Sequence, residues 1–306
     1  MSYKIVVIGC GNVGFEYIEK LSLEPNLKAT IVLIDEKNDK LYGEVLDLEQ
    51  SLCNKNSYIS FKIGSYEDCR DADIICLTAG VKQELKDRLL DTLPINDMIY
   101  PIITKVMEYQ FKGIFLVASN PLDVATQLVA TYSDLPFDRV IGTGTMLDTY
   151  RLKTLLSKKL SINSQDISIY VLGEHGSSQF VVWNNANIGL QNINSFIGQE
   201  EKEKIENRVR EMGNEIVSSK GFTSHGVASC LVKLTKAILY DEKCIFPVSN
   251  YQEDYDVYLS TPVVIGKNGI EKKIHIKLTS EEEQRLHHSA TIIKEAIEKV
   301  LPDELY

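Results

Sequence analysis

The chain has 306 residues, of which 44% are hydrophobic and 25% are charged, as in an ordinary globular protein with a substantial core. Its formal net charge of −10 argues against nucleic acid or an anionic membrane surface as the main partner. Because no apolar run approaches the length of about 20 residues that spans a bilayer, and the first residues enter a strand-like segment at once, we expect no signal peptide and a cytoplasmic protein.

Short apolar runs alternate with amphipathic stretches in the first half of the chain. The apolar runs are rich in β-branched residues and bounded by turn residues; they are "KIVVIG" (4–9), "ATIVLID" (29–35), "DIICLTAG" (73–80), "IFLVAS" (114–119) and "RVIG" (139–142). Helical spacing is found between them, at 12–23, 42–51, 92–110 and 121–132. Strands that are apolar on both faces and alternate with helices predict a parallel sheet covered on both sides.

The pattern changes after about residue 143. Helical segments are predicted at 145–160, 200–218, 224–240 and 280–301. Residues 244–277 are typical of an antiparallel meander, with "KNG" as a hairpin turn. We therefore expect an α/β protein with an N-terminal doubly wound Rossmann domain in 1–142 and a mixed α+β substrate domain in 143–306.

A glycine pattern follows the first predicted strand. "IGCGNVG" has Gly9, Gly11 and Gly14 in the G-x-G-x-x-G spacing that lets a backbone turn and a helix N-terminus approach a pyrophosphate. The next predicted strand ends at Asp35, 21 residues after Gly14, where a carboxylate can accept hydrogen bonds from ribose hydroxyls. Because Asp35 and Glu36 would repel a 2′-phosphate, the sequence predicts NAD rather than NADP as cofactor. The alternative is a glycine turn that serves packing alone.

Three polar residues of the second half are candidates for chemistry. "GTGTMLDTYRL" places Asp148 and Arg151 three residues apart, on one face of a helix. That spacing alone is typical of a surface ion pair, but the glycine-rich, apolar surroundings favour a buried turn, where Arg151 would have a free fork for a carboxylate if Asp148 is used elsewhere. Asp148 behind His175 would orient the imidazole and stabilise its protonated form. A lone histidine is more often a satisfied core residue.

Six sequence motifs together resemble one enzyme family. "GCGNVG", "LTAGVKQ", "ASNPLDV", "GTMLDTYR", "LGEHGSSQF" and "KGFTSHGVA" occur in the order seen in L-lactate and malate dehydrogenases, and the likeness covers nearly the whole chain. It is strongest to the L-lactate and L-2-hydroxyisocaproate dehydrogenase branch. The resemblance implies an NAD-dependent oxidoreductase that acts on the CH–OH group of a 2-hydroxyacid. We see no metal-ligand spacing and expect no metal.

The resemblance also implies residue roles. His175 would protonate the substrate carbonyl oxygen while hydride passes from NADH to C2, and Asp148 would hold His175. Arg151 would clasp the substrate carboxylate, Asn120 would hydrogen-bond near the carbonyl oxygen and the nicotinamide, and Thr223 would line the pocket. The motifs imply further contacts with NAD from Asn12, Val13, Thr78, Ala79, Gly80 and Asn120.

The segment 80–91, "GVKQELKDRLLD", matches the family less well. In these enzymes this loop closes over the substrate and carries an arginine that polarises the carbonyl. Counting from Gln83 without a gap puts Leu89 at that position, whereas the "D-R" of the hydroxyisocaproate branch favours Arg88, which we assign. Gln83 falls where malate enzymes carry an arginine, so monocarboxylic 2-oxo acids are favoured, although the neighbouring Lys82 keeps oxaloacetate open.

The favoured function is therefore an L-lactate dehydrogenase that interconverts pyruvate and L-lactate. An L-2-hydroxyisocaproate dehydrogenase is the first alternative, since Met146 and the unusual loop would admit larger apolar side chains. A malate dehydrogenase is the second. A non-catalytic NAD-binding protein is the third, and it would be expected to have lost His175, Asp148 or Arg151.

Partners and control are expected from the resemblance alone. We expect a small 2-oxo or 2-hydroxy acid as substrate, no nucleic acid or membrane partner, a homotetramer (or a homodimer) and a role in glycolysis. Family members that fructose 1,6-bisphosphate activates resemble one another in a basic pair near the subunit interface. The equivalent positions here are Lys153 and Ser168, so half of the pair is missing and no activation is predicted.

Overall fold

A nine-stranded sheet forms the centre of the computed structural model, which describes residues 2–53, 57–80 and 93–301. Six of the strands run parallel. They are β1 (Tyr3–Ile8), β2 (Lys28–Ile34), β3 (Tyr58–Ile63), β4 (Ile74–Leu77), β5 (Ile114–Val117) and β6 (Val140–Gly142). Their spatial order, β3-β2-β1-β4-β5-β6, is that of a Rossmann sheet and confirms the predicted α/β fold class. The edge strand β3 is an addition to the predicted strands.

Helices cover both faces of this sheet. The α-helices of the described residues are α1 (Asn12–Ser22), α2 (Asn38–Leu52), α3 (Leu93–Glu108), α4 (Leu122–Ser133), α5 (Met146–Leu160), α6 (Gln199–Lys220), α7 (His225–Leu239) and α8 (Ser280–Glu298), of which α6 packs on α5 rather than on the sheet. Because successive side chains of a strand point to opposite faces, Val6 and Ile8 of β1 pack in one core cluster with α3, α4 and α8. Ile5 and Val7 pack in another with α1, α2 and α7. Burial on both faces explains the unbroken apolar runs of the sequence.

The predicted antiparallel meander is present and extends the parallel sheet. It consists of β12 (Cys244–Gln252), β13 (Val257–Gly266) and β14 (Gly269–Lys273). β12 pairs with β6 through Ser249 and Gly142, so the meander joins the sheet of the first half. Lys267 and Asn268 form the turn between β13 and β14, where Gly269 has a φ of +96°.

Five very short strands lie between α5 and α6. They are β7 (Ile167–Ser168), β8 (Val171–Leu172), β9 (Phe180–Val181), β10 (Asn187–Ile188) and β11 (Gln191–Asn192). They make a three-stranded sheet in the order β11-β10-β7 and a two-stranded sheet of β8 and β9. The β8–β9 connection carries His175. Among the described residues, no helix combines the length and the apolar character that crossing a membrane requires.

Candidate active site

The glycine turn between β1 and α1 leaves no room for side chains at two of its positions. Gly9 has a φ of +91°, and a Cβ there would lie 2.2 Å from the backbone nitrogen of Ala79. A Cβ on Gly14 would lie 2.6 Å from the carbonyl oxygen of Gly9. α1 begins directly after Gly11, at Asn12. The backbone N–H groups of its first turn, which have no acceptor within the helix, therefore lie at the exposed end of the glycine turn. The turn therefore has the build of a phosphate cradle.

Asp35 lies at the end of β2, beside this turn. Its Oδ2 accepts the backbone N–H of Cys10 at 2.7 Å, and its Oδ1 accepts the N–H of Lys37 at 3.1 Å. Each carboxylate oxygen can accept two hydrogen bonds, so capacity for ribose hydroxyls remains. Thr78, at the end of β4, donates to the carbonyl oxygen of Gly9 at 2.6 Å and ties the two strand ends together. These residues fit an NAD molecule at the carboxyl ends of β1 and β4, where strand order reverses.

The buried carboxylate of Asp148 contacts both His175 and Arg151. Asp148 lies in the first turn of α5 and is 1% exposed. Its Oδ2 lies 2.6 Å from Nδ1 of His175, and its Oδ1 accepts Nη1 of Arg151 at 2.8 Å. Burial alone would raise the pKa of Asp148, but the adjacent His175 and Arg151 outweigh burial and hold this pKa below its ordinary value. The carboxylate is therefore ionised and faces two donors.

The sequence analysis expected the Arg151 guanidinium to be free for a carboxylate if Asp148 is used elsewhere, and the structure differs in one detail. Asp148 contacts His175 and also Arg151, so one nitrogen of the guanidinium is already engaged. The Nε of Arg151 is buried and has no hydrogen-bond partner among the described residues. On α6, Gly213 faces the guanidinium, and a Cβ there would lie 3.4 Å from both Nη1 and Nη2. The absence of a side chain at Gly213 leaves space beside the arginine.

A cavity of about 310 Å³ connects these groups. Its walls include all of the predicted site residues of the second half together with Asn120, namely Asn120, Asp148, Arg151, His175 and Thr223. Val13 of α1 also lines the cavity, so the glycine-rich turn and the polar cluster share one cleft. The arrangement presents an imidazole, a guanidinium and an amide to one small molecule. It is suited to proton transfer on a carboxylate-bearing substrate.

Two predicted site residues, Gln83 and Arg88, lie outside the described residues, as do Lys82 and Leu89. The expectation for Met146 was wrong, because its side chain is fully buried in the core cluster on the α1 face of the sheet. The adjacent Leu147 lines the cavity instead.

Several residues around the site were missed by the sequence analysis. Asp123 of α4 is 3% exposed and accepts the backbone N–H of His175, and the hydroxyl of Ser249 donates to its other oxygen. Glu174, also buried, accepts both the N–H and the hydroxyl of Ser178 and so closes the turn that carries His175. A signal existed for Asp123, since it is the lone charge in the apolar helix "LDVATQLVA".

Known proteins resemble this chain over its whole length. Family models described as "lactate/malate dehydrogenase, NAD binding domain" and "lactate/malate dehydrogenase, alpha/beta C-terminal domain" match residues 3–142 and 145–303. An L-lactate dehydrogenase of Geobacillus stearothermophilus is 37% identical over 305 residues, 96% of each chain, and one of Borrelia hermsii is 35% identical over 311 residues, covering 97% of this chain and 98% of the relative. The solved minor L-lactate dehydrogenase of Enterococcus mundtii superposes with a TM-score of 0.93 at 32% identity, over 99% of both chains. The chain belongs to the lactate/malate dehydrogenase family.

Proposed function

We propose that this protein is an NAD-dependent L-lactate dehydrogenase, which converts pyruvate, NADH and a proton to L-lactate and NAD⁺, and the reverse. The observation that carries the proposal is the Asp148 carboxylate between His175 and Arg151 in a cleft shared with the glycine-rich turn. NADH supplies the hydride that reduces C2 of the 2-oxo acid. The residues of the chain bind and orient the substrate and supply the proton.

His175 is the proton donor and acceptor of the proposed reaction. Since an ionised carboxylate can only accept hydrogen bonds, Nδ1 of His175 carries a hydrogen toward Oδ2 of Asp148. Nε2 is then the nitrogen that exchanges its proton with the substrate oxygen. In the direction of pyruvate reduction the doubly protonated ring gives the Nε2 proton to the carbonyl oxygen, and in the reverse direction neutral Nε2 takes the proton from the hydroxyl. The Asp148 charge stabilises the ring whenever it is protonated.

Arg151 is the proposed partner of the substrate carboxylate. Its Nη1 is held by Asp148, so the edge formed by Nε and Nη2 remains for a two-point contact. A buried N–H without an acceptor is unfavourable, and a bound carboxylate would supply that acceptor. Asn120 follows β5 at the cavity wall and Thr223 precedes α7 there, which suits their proposed contacts with the carbonyl oxygen and with the reacting end of the substrate.

The proposal also gives roles to Arg88 and Gln83, in segment 81–92. Arg88 would polarise the substrate carbonyl. Gln83 would contact the far end of the substrate, and because its amide is neutral it would supply no positive charge for a second carboxylate there. Substituting Arg88→Gln is expected to lower kcat, whereas Leu89→Gln is expected to retain most of it. If the Leu89 variant is inactive and the Arg88 variant is not, the assignment of Arg88 is wrong.

A larger 2-oxo acid is the second candidate substrate. It is supported by the sequence resemblance to the L-2-hydroxyisocaproate dehydrogenase branch. Comparing kcat/KM for pyruvate, 2-oxo-4-methylpentanoate and oxaloacetate separates the candidates. We expect pyruvate to give the highest value, and a preference for oxaloacetate would overturn the role given to Gln83.

The decisive experiment measures NADH oxidation by pyruvate with the wild-type chain, His175→Ala and a matched control, His287→Ala. His287 lies exposed on α8, away from the cavity residues. We expect His175→Ala to lose about 1,000-fold or more in kcat, since general acid–base catalysis contributes about 100- to 10,000-fold. NADH binding, followed by fluorescence, should stay unchanged in both variants. A His175→Ala enzyme with wild-type turnover would remove the proposed proton donor.

Four further proposals concern the domain division, the oligomeric state, the location and the metabolic role of the protein. A division near residue 142, into an NAD-binding part and a substrate part, is supported by the two family-model ranges, which meet between residues 142 and 145. A homotetramer is proposed from family resemblance, and light scattering should then give four times the chain mass of 34.5 kDa rather than twice that mass. A cytoplasmic location and a role in glycolysis follow from the same proposal.

A further inference from the structure

An ion pair joins α1 to the beginning of α7. Glu16, on α1, contacts His225, the first residue of α7, with 2.6 Å between Oε1 of Glu16 and Nδ1 of His225. Lys20, one turn further along α1, lies 3.2 Å from the same oxygen. Burial alone would raise the pKa of Glu16, but the contacts with His225 and Lys20 outweigh burial and lower this pKa. Glu16 is therefore ionised and holds the start of α7 against α1.

The residues next to this pair line the active-site cavity. Val13 belongs to the same turn of α1 as Glu16, three positions before it. Thr223 and Val227 lie two positions before and after His225. Val13, Thr223 and Val227 all line the cavity, whereas Glu16 and His225 do not. A shift of the start of α7 relative to α1 would therefore change the distance between two walls of the cavity.

The beginning of α7 has little other polar support. Its N-cap residue, Ser224, provides no capping hydrogen bond, and the Ser224 hydroxyl lies 3.1 Å from Nζ of Lys220. The first turn of α7 contains no acidic residue. Because a helix N-terminus carries a partial positive charge, a nearby carboxylate stabilises it. Glu16 supplies that carboxylate from α1.

We propose that the ion pair of Glu16 and His225 is a positioning contact for substrate binding, which sets the place of Thr223 and Val227 relative to α1. This inference rests on the proposed function. Cofactor binding should not depend on the pair, because the glycine turn is held by contacts that do not involve α7. The hydroxyl of Thr78 donates to the carbonyl oxygen of Gly9 at 2.6 Å.

A second ion pair at the other end of the same two helices provides a matched control. Nζ of Lys236, in the last turn of α7, lies 2.6 Å from Oε2 of Glu24, which follows the end of α1. Neither residue lines the cavity. Loss of this pair weakens the packing of α1 on α7 without acting on the start of α7.

The test compares Glu16→Ala, Glu16→Gln, His225→Ala, the double alanine variant and the control Glu24→Ala. Each is assayed for kcat and KM with pyruvate, for NADH binding by fluorescence and for thermal stability. Hydrogen–deuterium exchange is followed at the amide of Ala228, which donates to the carbonyl oxygen of Ser224 at 2.9 Å and closes the first turn of α7.

We expect Glu16→Ala and His225→Ala each to raise KM for pyruvate by about two- to fivefold, since an ion pair with one exposed partner contributes little. The value of kcat and the affinity for NADH should stay unchanged, as for a contact that serves substrate binding alone. The double variant should have the KM of Glu16→Ala, because the second substitution removes nothing further. Glu16→Gln, which keeps an oxygen for the His225 contact, should raise KM less.

Amide exchange separates this inference from the proposed function. The Ala228 amide should exchange faster in Glu16→Ala and at the wild-type rate in Glu24→Ala, even if the control loses thermal stability. A wild type that does not oxidise NADH with pyruvate would refute the proposed function, whereas wild-type exchange in Glu16→Ala would overturn the inference whatever the activity. Additive effects in the double variant, or an equal rise of KM in Glu24→Ala, would also overturn it. If Glu16→Ala does not fold, His225→Ala decides by the same comparison, since the His225 side chain is 69% exposed.

Discussion

Replacing Asp148 with asparagine removes one acceptor from a side chain that serves two donors. The carboxylate accepts from Nδ1 of His175 at 2.6 Å and from Nη1 of Arg151 at 2.8 Å. An asparagine has one oxygen and one NH₂ group, so it can satisfy only one of these donors and must turn its NH₂ toward the other. If the oxygen faces His175, the arginine loses its partner. If it faces Arg151, the wrong nitrogen of the imidazole carries the hydrogen.

The magnitude follows from burial of the pair. Asp148 is 1% exposed, so solvent cannot replace the lost contact. A hydrogen bond to a charged group contributes about 1.5–3 kcal/mol, and breaking one side of a buried ion pair costs about 3–5 kcal/mol of stability. We therefore expect Asp148→Asn to lose about 2–4 kcal/mol of transition-state stabilisation, or about 30- to 1,000-fold in kcat/KM.

The assay is NADH oxidation by pyruvate, run in parallel with NADH deuterated at the transferred position. If the proton relay limits the variant, the isotope effect on kcat should rise, because the chemical step becomes slower than product release. Asp68→Asn is the matched control: it makes the same change at a buried carboxylate outside the cleft and should keep kcat/KM. An Asp148→Asn enzyme within about threefold of wild type would refute the assignment, since threefold is under 1 kcal/mol.

Gly213→Ala places a methyl group 3.4 Å from both Nη atoms of Arg151. Because every 2-oxo acid would place its carboxylate against this arginine, we expect KM for pyruvate and for 2-oxo-4-methylpentanoate to rise alike, by about threefold or more, and unchanged KM values would contradict this. Fructose 1,6-bisphosphate should not shift the pyruvate saturation curve to the left, because Ser168 is neutral and half of the expected basic pair is therefore missing. Burial raises the pKa of Asp123 from 3.8 to about 6, so the folded protein binds its proton more tightly than the unfolded chain and loses stability as pH rises. The free energy of unfolding in urea of Asp123→Asn, relative to that of wild type, should therefore rise by about 2 kcal/mol between about pH 4.5 and pH 7. A difference between the two proteins that does not change with pH would refute this.

The strands that were predictable are those buried on both faces. β1 is an unbroken apolar run because its side chains pack alternately into two cores. β3 lies at the edge of the sheet, beside β2 alone, and Tyr58 and Ile63 at its ends are exposed. Its sequence, "YISFKI", mixes polar and apolar residues without a long run, so no strand was predicted there. The two-residue strands β7 to β11 are too short for any periodicity to show.

The predictability of the site depended on the distance along the chain between its residues. Asp148 and Arg151 share a helix turn, so their contact follows from helical spacing. The contact of Asp148 with His175 spans 27 residues and was expected on the family resemblance. The contact of Asp123 with Ser249 spans 126 residues and needs β12 beside β6. The sequence pattern predicts the meander but not the strand on which it docks, so Asp123 was missed.

One cross-strand pair of the sheet connects the parts of the site. Ser249 on β12 stands opposite Ser260 on β13. Ser249 holds Asp123, while the backbone of Ser260 exchanges two hydrogen bonds with Gly173, at 3.1 and 2.9 Å. The Ser260 hydroxyl accepts the N–H of Thr145, the residue before α5, at 3.0 Å. The α5 turn with Asp148 and the turn with His175 are thus tied to adjacent points of one sheet. Because a sheet deforms less readily than a loop, the fold holds the 2.6 Å contact between the side chains of Asp148 and His175 before substrate binds.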